Sequence, residues 1–63
     1  MCEANAYLCG EDGEREMVME SVDRLTVDGE VIRLVSIHGR QEALRARIRR
    51  LALLDHEILL ERM

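Results

Sequence analysis

Asp28-Gly29 constrains this chain more tightly than any other feature, because an Asp-Gly pair flanked by β-forming runs is the strongest short-range hairpin signal a sequence offers. Val22 to Val27 lead into it and Glu30 to Ile37 lead out. With Asp28 and Gly29 as the loop, the register is fixed. Leu25 faces Ile32, Thr26 faces Val31 and Val22 faces Val35, while Arg24 lies opposite Arg33, a like-charge pair outnumbered by the apolar ones.

The remaining strands are read outward from that hairpin. In the first eight residues Cys2, Ala4, Ala6 and Leu8 alternate with Glu3, Asn5 and Tyr7, the pattern of a half-buried strand. Cys9-Gly10-Glu11-Asp12-Gly13 reads as a turn. Glu14 to Glu20 then puts Met17 and Met19 on one face, although Val18 shares the glutamate face and breaks the alternation. His38-Gly39 closes the strand after the central hairpin. Residues 40–63 contain neither Gly nor Pro, and their Ala, Leu, Glu and Arg content favours helix, with Leu44, Ile48, Leu51, Ala52, Ile58 and Leu59 near one stripe. Asp55 interrupts that stripe, and Leu53, Leu54 and Leu60 fall off it. The strand alternative turns Leu44, Ala46 and Ile48 inward and Arg45, Arg47 and Arg49 outward. It adjusts at Arg49-Arg50 and turns at Asp55-His56, so that Leu53 meets Ile58 and Leu51 meets Leu60.

A chain of 63 residues makes one domain, 1–63, with no internal repeat or linker. A domain this short buries only about 60% of its unfolded surface, so help from outside its own core is expected. Two cysteines without a secretory signal do not make a disulfide framework, which leaves homodimerisation as the expected help. No apolar run reaches the length of a membrane span, and the expected location is the cytoplasm. The cations are all arginine, and residues 1–32 carry nine acids against Arg15 and Arg24, whereas residues 33–63 carry seven arginines against four acids. Cross-strand ion pairs are the expected outlet for that asymmetry. A net charge of -4 and a single aromatic residue, Tyr7, argue against nucleic acid as a partner, since single-stranded RNA is usually bound by stacking. The Arg45, Arg47, Arg49 and Arg50 cluster is the one feature that keeps an RNA-binding alternative open.

Only Cys2 carries evident special chemistry. The α-amine of Met1, the backbone nitrogen of Cys2 and its thiolate can close two five-membered chelate rings in one plane, a donor set that suits Ni(II) or Cu(II) better than tetrahedral zinc. The bland reading is that a free cysteine is a small buried hydrophobe. Cys9 lies roughly 23 Å away along an extended strand, too far to share a metal with Cys2. His38 and His56 fall in turns and read as ordinary polar residues. Met17 and Met19 read as core. No nucleophile-base arrangement, phosphate-cradling loop or zinc spacing is present, so no enzyme is expected.

Several of these segments carry a resemblance. Met1-Cys2-Glu3-Ala4-Asn5, the acidic turn Glu11-Asp12-Gly13, Met17 to Val22, the Asp28-Gly29 hairpin, Ala46-Arg47-Ile48 and Leu53 to Glu61 together resemble the CooT family of small nickel-binding proteins, nearly end to end. That resemblance implies a small antiparallel β-structure, a homodimer, Ni(II) bound by Cys2 and a part in maturing a nickel enzyme such as carbon monoxide dehydrogenase. Related sequences also carry an RNA-binding label. The expected fold is therefore an all-β, SH3-like antiparallel barrel of six or seven strands. Its expected core is Cys2, Ala4, Leu8, Met17, Met19, Leu25, Ile32, Ile48, Leu51, Leu53, Ile58 and Leu60. Tertiary pairing is expected to override helix propensity in the last third.

Overall fold

A computed structural model describes residues 3–63; Met1 and Cys2, and with them the expected first position of the core, lie outside the described residues. The described chain is all strand and turn: β1 (Ala4–Cys9), β2 (Arg15–Asp28), β3 (Val31–Ser36), β4 (Gln41–Ala52) and β5 (Glu57–Arg62). Each strand bonds to the next, and β5 returns to β1 to close the ring. Sequential neighbours pair antiparallel, and the closing β1–β5 pair runs parallel.

Five strands replace the six or seven expected, and the reason is local. The segments read as separate strands on either side of Ser21 are one strand, β2, which bends without breaking its ladder. Against β1 it steps from Tyr7↔Met17 to Ala6↔Met19 and then to Ala4↔Val22, so extra residues bulge out at Val18 and at Glu20-Ser21. Against β3 it steps from Val22↔Ser36 to Arg24↔Val35, with Asp23 as the extra residue. Bulges bend a strand and raise its twist. That curvature lets 14 residues serve β1 at one end and β3 at the other. The bulge at Val18 also turns Met17 and Met19 to opposite faces, which accounts for the broken alternation there.

The central hairpin forms, but its loop is Gly29-Glu30 rather than Asp28-Gly29, and Asp28 pairs with Val31. Leu25 therefore faces Leu34, not Ile32, Thr26 faces Arg33, not Val31, and Val22 faces Ser36, not Val35. Gly29 has φ +63°, while Glu30 is not among the residues with positive φ. Positive φ at the first loop position alone is the demand of a type II′ turn and puts glycine first; the expected loop would have required it of Asp28 as well. The displaced register separates Arg24, now opposite Val35, from Arg33.

Residues 41–62 form β4 and β5 in place of the helix that local composition favours. The adjustment expected at Arg49-Arg50 is present, since Ile48 pairs with Leu60 while Arg50 pairs with Leu59. The connection is longer than expected. Asp55 N–H returns to the Ala52 carbonyl and His56 N–H to that of Leu53, and His56 takes φ 56°. Strand pairing thus resumes at Ala52↔Glu57, which sets Leu51 against Ile58 and leaves Leu53 in the loop, so the expected Leu53–Ile58 and Leu51–Leu60 pairs do not form.

Inside the ring, Ala6, Leu8, Met19, Val22, Ile32, Leu34, Ala46, Ile58 and Leu60 make the core, with Ala4, Val18, Leu25 and Leu44 packed against it. Four expected core residues are exposed: Met17 at 46%, Ile48 at 38%, Leu51 at 51% and Leu53 at 70%. Met17 is turned out by the bulge. Ile48 and Leu51 belong to the half of β4 that has outrun β3, whose pairing ends at Arg45, so they lack a neighbour on that side. Leu34 and Val22, absent from the expected core, are buried: Leu34 shares the inward face of Ile32 two residues before it, and the extra residue at Asp23 turns Val22 to the same side.

Candidate functional site

The expected donors, Met1 and Cys2, lie outside the described residues, and the described chain supplies their setting from Glu3 onward. β1 starts between two neighbours. On one side the Asn5 N–H donates to the His56 carbonyl at 2.8 Å, where the β4–β5 loop ends. On the other, the N–H of Ser21 in β2 donates to Asn5 Oδ1 at 3.1 Å. The Ser21 hydroxyl donates to Glu3 Oε2 at 3.3 Å. Ser21 in turn accepts the Ile37 N–H at 2.9 Å, which ties the same point to the end of β3. The segment next to Cys2 is therefore bonded to the β4–β5 loop and to β2, and through Ser21 it is tied to the end of β3.

The other candidates are scattered. Cys9 is a free, half-buried thiol at the far end of β1, opposite Arg15 and Glu61, so the extended strand does hold it away from the strand start. An open cleft beside it is lined by Glu11, Asp12, Glu14, Arg49 and Arg62 among others. His38 is exposed, and its N–H donates to the buried hydroxyl of Ser36. His56 is exposed and bonds Asn5 through its carbonyl. Met19 is buried and Met17 is not, so neither faces a shared site. Among the described residues no group of three or more His, Cys, Asp and Glu side chains gathers as a metal cage.

The arginine row is partly engaged with acids. Arg45 pairs with Glu30 at 2.6 Å and Arg47 with its strand partner Glu61 at 2.6 Å, as cross-strand pairing predicts. Arg40 pairs with Glu42 and Arg15 with Glu57, and Arg15 also lies 5.7 Å from the Tyr7 ring centroid. Arg49 and Arg50 make no ion pair with the described residues. No helix of the described chain is long and apolar enough to cross a membrane.

Asn5 and Ser21 escape a reading by hydrophobic period, because both occupy ordinary polar positions. One signal was present: Met19 and Val22 are both apolar at a spacing of three, which a period of two can accommodate only by a bulge between them.

The fold and the strand start define a small all-β protein whose expected donor pair precedes a firmly bonded β1. It belongs to the CO dehydrogenase accessory protein CooT family, whose model matches residues 1–61. Four chains of known structure match. One is the crystal structure of a candidate CooT from Carboxydothermus hydrogenoformans, 42% identical over 98% of both chains with a TM-score of 0.91. No curated protein matches the sequence.

Proposed function

We propose that this protein is a non-catalytic nickel carrier that binds Ni(II) through Cys2 and serves the maturation of a carbon monoxide dehydrogenase. The observation that carries this reading is the reach of the family match, which begins at residue 1 and so includes Met1 and Cys2. The thiolate of Cys2, its backbone nitrogen and the amine of Met1 supply an in-plane nitrogen-and-sulfur set matched to Ni(II), which is cargo here rather than a resident cofactor. Capture of that cargo releases protons, so affinity falls as pH drops below neutral. The working unit is a cytoplasmic homodimer of SH3-like barrels, and the exposed apolar residues of the β4–β5 hairpin support association.

The test is a Ni(II) titration of wild type, Cys2→Ser and Cys9→Ser, followed by calorimetry and by the near-ultraviolet thiolate-to-nickel band. Cys2→Ser is expected to lose the band and most of the affinity, and Cys9→Ser to keep both. Full affinity in Cys2→Ser, or loss in Cys9→Ser alone, rejects the assignment.

A further inference from the structure

Two non-glycine residues in the described chain have positive φ, Ser21 at 53° and His56 at 56°, and both are bonded to Asn5. Elsewhere positive φ falls on glycine, at Gly13, Gly29 and Gly39. A side chain at positive φ costs free energy and persists only where its surroundings over-determine it; such residues cluster at ligand clamps and switch regions. Here they lie on different elements, β2 and the β4–β5 loop, and flank the start of the same strand. Asn5 joins them: its side chain accepts from Ser21 N–H and its main chain donates to the His56 carbonyl. The Ser21 hydroxyl extends the network to Glu3, the residue next to Cys2. Glycine at position 21 would relieve the backbone but give up that bond.

We propose that Asn5 is a positioning residue, the centre of a clamp with Ser21 and His56 that fixes the start of β1, the strand that follows the Met1-Cys2 donors in sequence. The proposal rests on the nickel reading above. Donors joined to a fixed strand start give up less conformational freedom on capturing a metal. Partners beyond the ligands themselves commonly account for tenfold or more in metal affinity. Asn5 touches no metal in this scheme and acts through the placement of Glu3 and Cys2.

The experiment titrates Ni(II) into wild type, Cys2→Ser, Asn5→Ala, Asn5→Asp and Ser21→Gly, recording affinity, the thiolate-to-nickel band and the melting temperature of the metal-free protein. Asn5→Ala is expected to bind about tenfold more weakly with a displaced band. Asn5→Asp keeps an acceptor oxygen for Ser21 N–H and is expected to restore the band. A purely structural role would lower the melting temperature and leave band and affinity in place. Cys2→Ser binding as wild type overturns the nickel reading and the clamp with it. Loss in Cys2→Ser with wild-type affinity and band in Asn5→Ala overturns the clamp alone. Should Asn5→Ala not fold, Ser21→Gly decides: weaker nickel binding with undiminished melting supports the clamp, and wild-type affinity overturns it.

Discussion

Met17 and Met19 carry the same side chain two positions apart, yet one is 46% exposed and the other 1%. Only the bulge at Val18 separates their fates. Met19→Ala is expected to cost about 2–5 kcal/mol as a core truncation, and Met17→Ala well under 1 kcal/mol. Urea midpoints of the two variants check this, and equal losses would mean that both face the core. The sequence carried half of the evidence, since Val18 visibly broke the period; which methionine turned inward depended on Ala6 and Tyr7 across the ladder. Ser36 shows the same division. It reads as an ordinary strand-end polar residue, but its buried hydroxyl accepts the N–H groups of His38 and Arg40, at 3.2 and 3.0 Å, and so holds the β3–β4 turn.

Among the elements, the central hairpin was legible as a hairpin and misplaced by one residue in its loop. Asp-Gly announces a turn, but whether the aspartate belongs to the loop or to the strand is settled by which residue must take positive φ. A Cβ at position 29 would meet nothing within 4 Å, so a substitution there is opposed by backbone conformation alone. Gly29→Ala is expected to cost about 1–2 kcal/mol. Gly10→Ala is the control, since Gly10 lacks positive φ and its Cβ would meet chiefly the exposed Asp12 carboxylate at 3.2 Å. It should cost less than half as much. Denaturant melts of both variants decide, and equal losses would remove φ as the cause. In β4 and β5, helix propensity worth tenths of a kcal/mol per residue gives way to ladders that β3 and β1 offer.

At the scale of the whole molecule, closing the ring leaves apolar side chains uncovered, and half of the large exposed ones among the described residues fall in one stretch of sequence. Ile48, Leu51, Leu53 and Leu54 are 38%, 51%, 70% and 97% exposed, all on β4 or the loop that follows. Exposed apolar side chains so close in sequence mark a candidate association surface. Wild type is expected to sediment as a pair of 7.3 kDa chains at micromolar concentration. Leu53→Ser/Leu54→Ser should sediment as single chains with an unchanged β-type circular dichroism spectrum, because neither side chain reaches the core. A dimer that survives the double substitution would place the contact elsewhere.

By itself the sequence determined that a hairpin turns near Asp28-Gly29, that an adjustment falls at Arg49-Arg50 and, through the resemblance its motifs carry, the family and the all-β class. The hairpin and the adjustment follow from local turn chemistry and period-two patterning and the family from motif order, whereas composition after residue 40 favoured helix. Tertiary structure alone decided that the six or seven expected strands are five, that Met17, Ile48, Leu51 and Leu53 face water, and that Asn5, Ser21 and His56 meet at the start of β1. The reason is that bulges and loop lengths move register by one or two residues at little local cost, while their effect on burial is set by the neighbouring strand. Asn5, Ser21 and His56 are separated by 16 and 35 residues from one to the next, and only ring closure brings them together.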